Sequence, residues 1–389
     1  MDWSKTIYNI IVVVVLLIVF IHFTIGLLLI VLLNGNIQWI PFVITAGIVI
    51  LINCILFTFR FFTSKKRNLI VASISVLALS IALIQPIQYY LKNRIPTVGA
   101  DVDVYQYIPF STVDSVVKLE KQATVQLTES LPIIDGATAF YPLYAAVAEA
   151  LYPEKEYNPY DSEVMVNKTP TAYQNLIDGR VDLIFVLAPS EQQKNRAKIQ
   201  GVELKLTPIG KEAFVFFVHA KNKVEGLSLQ QIKDIYSGEV TNWSQVGGGS
   251  DAIRAFQRPQ DSGSQTALQN LMDDTPIMDA PTENVAQGMG SIIEEVANYR
   301  NYKNAIGYTF RYYSNEMVQN KEIKLLEIDG VAPTKEMIRS NTYPITNEFY
   351  IVTTQNSNPK SQEIIDWMLS DEGQRLLEKV GYVPIRELD

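Results

Sequence analysis

Three short turns in this chain each lead straight into a segment with helical character. They are Asp135-Gly136-Ala137-Thr138, Lys168-Thr169-Pro170-Thr171 and Arg258-Pro259-Gln260-Asp261-Ser262-Gly263-Ser264. The start of a helix carries N–H groups without intrahelical partners and a partial positive charge, so it holds anions readily. Three such turns in one chain, one of them with an arginine, predict a small oxyanion held between converging helix starts.

Nine residues in and next to these turns are the candidate ligands of the anion. They are Ala137, Thr138, Ala139, Thr169, Arg258, Gln260, Ser262, Gly263 and Ser264. Arg258 stands four residues before Ser262, and a guanidinium can grip two oxygens of one anion at once. Other uses compete, because a single arginine often forms a surface ion pair and hydroxyl groups at helix starts often serve only as caps. In the second turn, Thr171 is an alternative to Thr169.

Composition argues against several other functions. Among 389 residues there are one cysteine, Cys54, and two histidines, His22 and His219, so no disulfide within the chain and no Cys-rich metal site is expected. The Ser-Gly-Ser of the third turn is not the Gly-x-Ser-x-Gly elbow of hydrolases, and no Walker-type phosphate loop occurs. We therefore expect a protein that is not an enzyme and that uses neither a metal nor a cofactor.

Charge is divided unevenly along the chain. Residues 1–95 hold seven of the 33 basic and one of the 41 acidic residues, which leaves a net charge of −14 beyond residue 95. A domain this acidic does not attract nucleic acid through bulk charge, so no nucleic-acid partner is expected. An anion must then be held by local donors against the overall field.

The first part of the chain is apolar. Three runs, roughly 10–33, 39–59 and 69–91, reach the length of about 20 residues that a bilayer-spanning helix needs. Four basic residues lie between positions 60 and 67, which predicts that this connection is cytoplasmic. We therefore expect residues 1–95 to anchor a multi-pass protein in the lipid bilayer of the cell membrane, with a cytoplasmic N-terminus and an extracytoplasmic remainder.

The remainder begins with a polar tether, 96–130, expected to lie against the next domain through Tyr105, Tyr107 and Phe110. From residue 131, predicted strands and helices alternate, which is typical of an α/β sheet whose ligands bind where strands end and helices begin. The predicted strands are 131–134, 163–166, 181–187, 213–218, 253–256, 305–308 and 350–353. The predicted helices are 141–151, 171–177, 229–236, 265–272, 292–299, 361–369 and 372–380.

The order of these motifs resembles the phosphate-binding receptors of ABC importers, within the type 2 periplasmic-binding-protein superfamily, over about residues 131–386. The motifs that carry the resemblance are Asp135-Gly136-Ala137-Thr138 with Tyr141-Pro142-Leu143, Thr169 with residues 174–182, residues 229–238 with Asn242-Trp243, Arg258 with Ser262-Gly263-Ser264, Ala305-Ile306-Gly307-Tyr308, and Gly381-Tyr382-Val383-Pro384-Ile385. The resemblance implies a two-lobed α/β fold of that superfamily, preceded by three transmembrane α-helices.

The same resemblance implies how the domain 131–389 is divided. Lobe one would comprise about 131–208 and 346–389, and lobe two about 215–340. Strands crossing near 213–218 and 343–350 would form the hinge. The lobes would close around the anion and open to release it.

Two departures from the family pattern concern the choice of ligand. These receptors typically carry one aspartate between the clamp arginine and serine and another after the second sheet strand, and such carboxylates accept a hydrogen bond from a protonated oxyanion. Here the clamp position is Gln260, Asp261 is one place out of register, and the segment after the strand reads Ala188-Pro189-Ser190. Either Gln260 or Asp261 can be the residue that faces the anion, so a preference for phosphate over sulfate does not follow.

The expected function is therefore a membrane-tethered extracytoplasmic solute-binding receptor. It would capture inorganic phosphate or a similar oxyanion and deliver it to the permease subunits of an ABC importer. The alternative is an anion sensor or interaction protein that signals through its transmembrane helices.

Overall fold

The computed structural model describes residues 3–34, 36–93, 97–98, 102–113, 115–258, 260–279, 299–300, 303–318 and 323–388. The chain forms two compact units, Met1–Pro96 and Thr97–Asp389, and each is described by itself.

The first unit is helical. Its helices are α1 (Trp3–Leu33), α2 (Ile40–Thr58), α3 (Lys65–Ala82) and α4 (Ile84–Asn93). Three stretches, Ile7–Leu33, Ile37–Thr58 and Lys65–Tyr90, are long and apolar enough to cross a membrane, which confirms the three predicted apolar helices. The third stretch is interrupted at Leu83, three residues before Pro86, whose ring cannot donate the hydrogen bond that would continue the helix.

The second unit combines helices and strands. Its helices are α5 (Tyr141–Leu151), α6 (Lys168–Ile177), α7 (Glu191–Ile199), α8 (Leu229–Ser237), α9 (Gly263–Met272), α10 (Lys335–Arg339), α11 (Ser361–Leu369) and α12 (Asp371–Val380). Its strands are β1 (Thr97–Val98), β2 (Ile134–Gly136), β3 (Leu183–Val186), β4 (Leu204–His219), β5 (Gly226–Leu227), β6 (Arg254–Ala255), β7 (Tyr299–Arg300), β8 (Ala305–Phe310), β9 (Ile323–Leu325), β10 (Glu327–Ile328), β11 (Thr346–Thr354) and β12 (Val383–Pro384). Short 3-10 helices lie at Ile37–Trp39, Val104–Tyr107, Thr138–Phe140 and Trp243–Val246, and a π-helix at Tyr313–Val318.

A mixed sheet organises this unit. Its strand order is β2-β3-β11-β4-β8-β6, and β9 and β12 also pair with β4. The pairs β2–β3 and β6–β8 are parallel, whereas β11 runs antiparallel to both of its neighbours. The α/β class that the sequence predicts is confirmed. Helix α5 begins shortly after β2, and α9 follows β6. Helix α6 begins four residues after Val164, which forms a bridge with β2.

Strand β4 is shared between two groups of strands. Its residues 204–213 pair with β11, and residues 214–218 pair with β8. The backbone N–H of Phe214 donates to the Ile345 carbonyl at 3.0 Å, so the two segments expected to cross between lobes lie side by side here. We use lobe one and lobe two for the residue ranges defined from the sequence, and we call the region around residues 212–214 and 343–346 the crossing.

A buried carboxylate lies at the crossing. Glu212 is 2% exposed, its Oε1 accepts from the N–H of Ala213 at 2.8 Å, and its Oε2 accepts from the N–H of Tyr312 at 3.3 Å. The Arg311 Nε lies 3.9 Å from Glu212 Oε1. Burial raises the pKa of Glu212 to about 7, and Arg311 and the two N–H groups oppose this shift only in part.

The tether packs against lobe one. The aromatic pairs Tyr105–Tyr160, Tyr107–Tyr141 and Phe110–Tyr157 have ring centroids between 6.1 and 6.4 Å apart. The Lys118 Nζ lies 3.0 Å from Glu149 Oε1, and the N–H of Thr124 donates to Glu372 Oε2 at 3.1 Å. Residues 104–113 and 115–127 are therefore held along α5 and α12 by aromatic contacts, an ion pair and hydrogen bonds.

Three of the predicted elements depart most from the sequence prediction. The predicted strand 163–166 is reduced to a single bridge between Ile134 and Val164. The predicted strand 213–218 is the second part of the much longer β4. Of the predicted helix 292–299, residues 292–298 lie outside the described residues, and Tyr299 belongs to β7.

We predict that Glu212 makes the stability of this unit depend on pH. Its pKa of about 7 lies above the ordinary value of 4.5, so between these values the folded state binds more protons than the unfolded state. The stabilisation from this group is then complete below the ordinary pKa and lost as the pH rises through about 7. The free energy of unfolding of wild type minus that of Glu212→Gln should fall between pH 5 and 8.5, by at most about 1.4 kcal/mol per pH unit.

The measurement is urea denaturation of the full chain in detergent, followed by near-UV circular dichroism. The control is Glu378→Gln, which removes an exposed carboxylate paired with Arg339 and should change the free energy of unfolding little. A difference between wild type and Glu212→Gln that does not vary with pH would contradict the prediction.

Candidate anion-binding site

The first turn begins where β2 ends. A Cβ on Gly136 would lie 2.6 Å from the carbonyl oxygen of Phe185 and 2.8 Å from the Tyr144 ring, so only glycine fits this approach between strands. The N–H of Ala137 donates to the same Phe185 carbonyl at 3.0 Å and is therefore already used. Thr138 and Ala139, both partly exposed, follow in the first turn of a 3-10 helix, where N–H groups lack intrahelical partners.

The second turn enters α6. Lys168 has a φ of +63°, which turns the chain sharply before the helix, and its side chain is exposed. Thr169 is the second residue of α6 and is 8% exposed. Asn167 is the N-cap residue of this helix, but its side chain accepts no hydrogen bond from the first turn. Thr169 therefore lies among first-turn N–H groups that no N-cap side chain uses.

A buried carboxylate joins the first two turns. Asp135 is fully buried, and its Oδ1 accepts from the backbone N–H groups of Gly136 at 2.7 Å and Asn167 at 2.9 Å. Its Oδ2 accepts from the side-chain amides of Asn167 at 3.0 Å and Asn175 at 2.9 Å. Burial raises the pKa of Asp135, opposed by the hydrogen bonds from Asn175, Asn167 and Gly136. The carboxylate therefore fixes the end of β2 to the start of α6.

The third turn is held by hydrogen bonds to the buried side chains of Gln265 and Tyr308. The backbone N–H of Arg258 is shared between Gln265 Oε1 and Tyr308 Oη, each at 2.9 Å. The side chain of Ser262 caps α9 by accepting from the N–H of Gln265 at 3.2 Å. The N–H groups of Gly263 and Ser264 precede the first capped position, so they are the first-turn donors of α9.

The second and third turns meet. A Cβ placed on Gly263 would lie 3.1 Å from Leu187 Cδ1 and 3.4 Å from Thr169 Oγ1. Because Leu187 and Thr169 belong to lobe one and Gly263 belongs to lobe two, the two lobes touch at these helix starts. The structure thus brings together Thr169 and Gly263, and Asp135 holds the first turn beside them.

Gln260 and Asp261, the two candidates for the residue that distinguishes phosphate from sulfate, have different hydrogen-bond partners. Gln260 is exposed, and its Oε1 accepts from the side-chain amide of Gln269 at 3.4 Å. Asp261 is partly buried, and its Oδ1 accepts from Ser190 of lobe one at 2.7 Å. The side-chain oxygen of Gln260 thus bonds to a residue of the same lobe. The role of Gln260 as a ligand stays a prediction.

Sequence reasoning missed the polar groups behind the turns. The sequence motifs include Asp135 only as part of a turn and do not indicate that it holds two turns together. They include Tyr382 only as part of the C-terminal motif, but its hydroxyl donates to the carbonyl of Ala139. The signal for Asp135 was available, because an aspartate next to a glycine at a strand end, with asparagines at positions 167 and 175, offers a carboxylate and its donors. Among the residues that the structure describes, no cluster of three His, Cys, Asp or Glu side chains is arranged to hold a metal.

Comparison with known proteins places this arrangement in a family. A family model described as the PBP superfamily domain matches residues 125–372. The phosphate-binding protein PstS of Borreliella burgdorferi is 26% identical over 269 residues, which cover 67% of this chain and 92% of that protein. The phosphate-binding protein PstS of Bacillus subtilis is 26% identical over 278 residues, which cover 70% of this chain and 84% of that protein.

A solved structure is also similar. The crystal structure of an ABC-type phosphate transport receptor from Vibrio cholerae aligns with a TM-score of 0.46 and 20% sequence identity. The alignment covers 66% of this chain and 99% of that chain.

We predict that Asp135→Asn destabilises the second unit. The substituted amide presents hydrogen atoms to donors that the carboxylate now satisfies, and each buried donor left without an acceptor costs about 1–3 kcal/mol. The free energy of unfolding should fall by at least about 2 kcal/mol, measured by urea denaturation of the full chain. Asp178→Asn is the matched control, because that carboxylate pairs with Arg180 and Arg196 near the surface and should contribute less than about 1 kcal/mol. Equal effects of the two substitutions would argue against Asp135 as the shared anchor.

Proposed function

Because this chain belongs to the PBP superfamily domain family, we propose that it is a solute-binding receptor that captures inorganic phosphate or a similar oxyanion. The observation that carries the proposal is the meeting of the α6 and α9 starts, where Thr169 Oγ1 and Gly263 lie in van der Waals reach from opposite lobes. Two helix starts aimed at one place concentrate N–H donors and positive partial charge there. Two relatives named as phosphate-binding proteins support the choice of ligand.

Each turn has a defined role in this proposal. Thr138 and Ala139 offer N–H groups and a hydroxyl from lobe one, together with Thr169 of α6. Ser262, Gly263 and Ser264 offer the corresponding groups from lobe two. Arg258 supplies a local positive charge within a domain of negative net charge, through a guanidinium that matches two oxyanion oxygens. In this role the chain is a receptor rather than an enzyme, since binding and release need no reacting side chain.

The apolar helices give the receptor its place. Three stretches with the length and composition of membrane spans would hold it in the cell membrane, with the N-terminus in the cytoplasm and residues 97–389 outside. The partners of the receptor would be the permease subunits of an ABC importer, to which it would deliver its anion.

We predict that purified full-length protein in detergent binds phosphate in isothermal titration calorimetry and that Arg258→Ala weakens this binding. A charge-assisted hydrogen bond contributes about 1.5–3 kcal/mol, so the dissociation constant should rise by about 13- to 160-fold. Arg339→Ala is the control, because Arg339 forms an exposed ion pair with Glu378 and should leave phosphate affinity unchanged. The absence of heat with phosphate, sulfate and molybdate in wild type would refute the proposal.

We predict the orientation from a labelling experiment in a Cys54→Ala background. A cysteine at Ser64, in the basic connection before α3, should react with a membrane-impermeant maleimide only after the cells are permeabilised. A cysteine at Lys198, an exposed residue of α7, should react in intact cells because the binding unit faces outwards. The opposite pattern would reverse the assigned orientation, and equal reactivity at both positions would exclude a separating membrane.

A further inference from the structure

One residue of lobe two is held by two residues of lobe one. The hydroxyl of Ser190 donates to Asp261 Oδ1 at 2.7 Å, and the side-chain amide of Gln193 donates to the Asp261 carbonyl oxygen at 3.3 Å. Both donors stand at the start of α7, and Asp261 stands in the third anion turn. A single residue of the clamp is therefore gripped by its side chain and by its backbone.

The two donors are oriented by hydrogen bonds within lobe one. Ser190 Oγ accepts from the N–H of Gln193 at 3.1 Å, and the Ser190 N–H donates to Gln193 Oε1 at 2.9 Å, which completes a capping box at the start of α7. Ser190 is 5% exposed and Gln193 is 6% exposed. Because the capping box already orients both side chains, little rotamer freedom is lost when they bond to Asp261.

The backbone of Asp261 is shaped to present both acceptors. Its φ is +63°, a left-handed conformation that aspartate tolerates better than most residues. Two residues later, Gly263 packs closely against Leu187 and Thr169, so that a Cβ there would fit only tightly. Asp261 and Gly263 thus both contact lobe one, directly beside the first-turn donors of α9.

We propose that Ser190, Gln193 and Asp261 form a latch that keeps the lobes closed over the bound anion and sets its rate of release. In this assignment, which rests on the proposed function, Asp261 is a positioning residue. Its carboxylate accepts a hydrogen bond from Ser190 of lobe one instead of one from a protonated anion. Of the two residues before Ser262, Asp261 is therefore the one that bonds to the other lobe, since Gln260 bonds to Gln269 within lobe two.

The competing role for Asp261 makes a different prediction. A carboxylate that accepts a proton from the ligand distinguishes protonated phosphate from sulfate, so its loss changes the ratio of the two affinities. A latch acts on closure alike for both anions, so its loss accelerates release without changing that ratio. The two roles are therefore separable by measuring release rates and the phosphate-to-sulfate ratio on the same variants.

The variants are Ser190→Ala, Asp261→Gly and Asp261→Asn in the full chain in detergent. Glycine adopts positive φ without strain and retains the carbonyl that Gln193 binds, so Asp261→Gly removes only the carboxylate contact. Asparagine also tolerates this φ and retains an acceptor oxygen for Ser190. Release of ³²P-phosphate after dilution into excess unlabelled phosphate should be about tenfold faster in Ser190→Ala and Asp261→Gly, and within about twofold of wild type in Asp261→Asn.

Loss of a helix cap is the main side effect of Ser190→Ala, and the chain offers a matched control. Ser228 caps α8 through the same capping box with Gln231, and the partners of that box all lie within lobe two. Ser228→Ala removes an equivalent cap and should leave the release rate unchanged. Release that is equally fast in Ser228→Ala and Ser190→Ala would assign the effect to helix stability and overturn the latch.

A second measurement does not depend on a bound anion. Spin labels at Lys198→Cys in lobe one and Asn270→Cys in lobe two, both exposed positions, report the distance between the lobes by double electron–electron resonance in a Cys54→Ala background. Ser190→Ala and Asp261→Gly should shift the distances to longer values, whereas Ser228→Ala should match wild type.

The outcomes separate the latch from the proposed function. If no oxyanion binds, the receptor proposal fails, and the distances alone decide whether the latch exists. If phosphate binds but wild type and latch variants share one distance distribution and one release rate, the latch is overturned and the receptor stands. A changed phosphate-to-sulfate ratio in Asp261→Asn with unchanged release would assign Asp261 to the anion instead.

Discussion

The buried carboxylate of Asp135 is the interaction on which the candidate site depends. It accepts four hydrogen bonds, two from backbone N–H groups and two from the amides of Asn167 and Asn175. A charge without solvent is tolerated only where such directed donors replace water. Since these donors come from the end of β2 and from α6, the carboxylate sets the distance between the first two turns. The positions of Thr138 and Thr169 follow from that distance.

Directed polar groups recur where the two lobes meet. At the crossing, Glu212 bonds to the backbone of Ala213 and Tyr312. At the start of α7, the Ser190 hydroxyl donates to Asp261. Between them the contact is apolar and close, because Gly263 leaves no side chain between its backbone and Leu187. Separation of the two lobes would exchange these hydrogen bonds with water and would also break this apolar contact.

Local signals explain what the sequence could predict. The helix starts at Tyr141 and Ser361 match the sequence prediction, and the first has a local signal, because Pro142 stands in the first turn, where its missing N–H has no intrahelical partner to lose. The length of β4 was missed because Pro208, Gly210 and Glu212 interrupt its apolar pattern, and pairing with β11 overrides that interruption. The three anion turns were recognisable one by one. The contact between Thr169 and Gly263 joins residues 94 positions apart, and the bond from Ser190 to Asp261 joins residues 71 positions apart, so no local pattern encodes them.

Lobe one is assembled from distant parts of the chain. The Tyr382 hydroxyl that supports the Ala139 carbonyl lies 243 positions downstream, and Glu372 lies 248 positions from its partner Thr124. During translation, β2 and the first turn therefore emerge long before the residues that brace them. Contacts so remote in sequence form slowly and leave apolar surface uncovered in the meantime. The first turn gains this brace only after residue 382 has been synthesised, so a nascent chain shorter than this would carry the turn without its support.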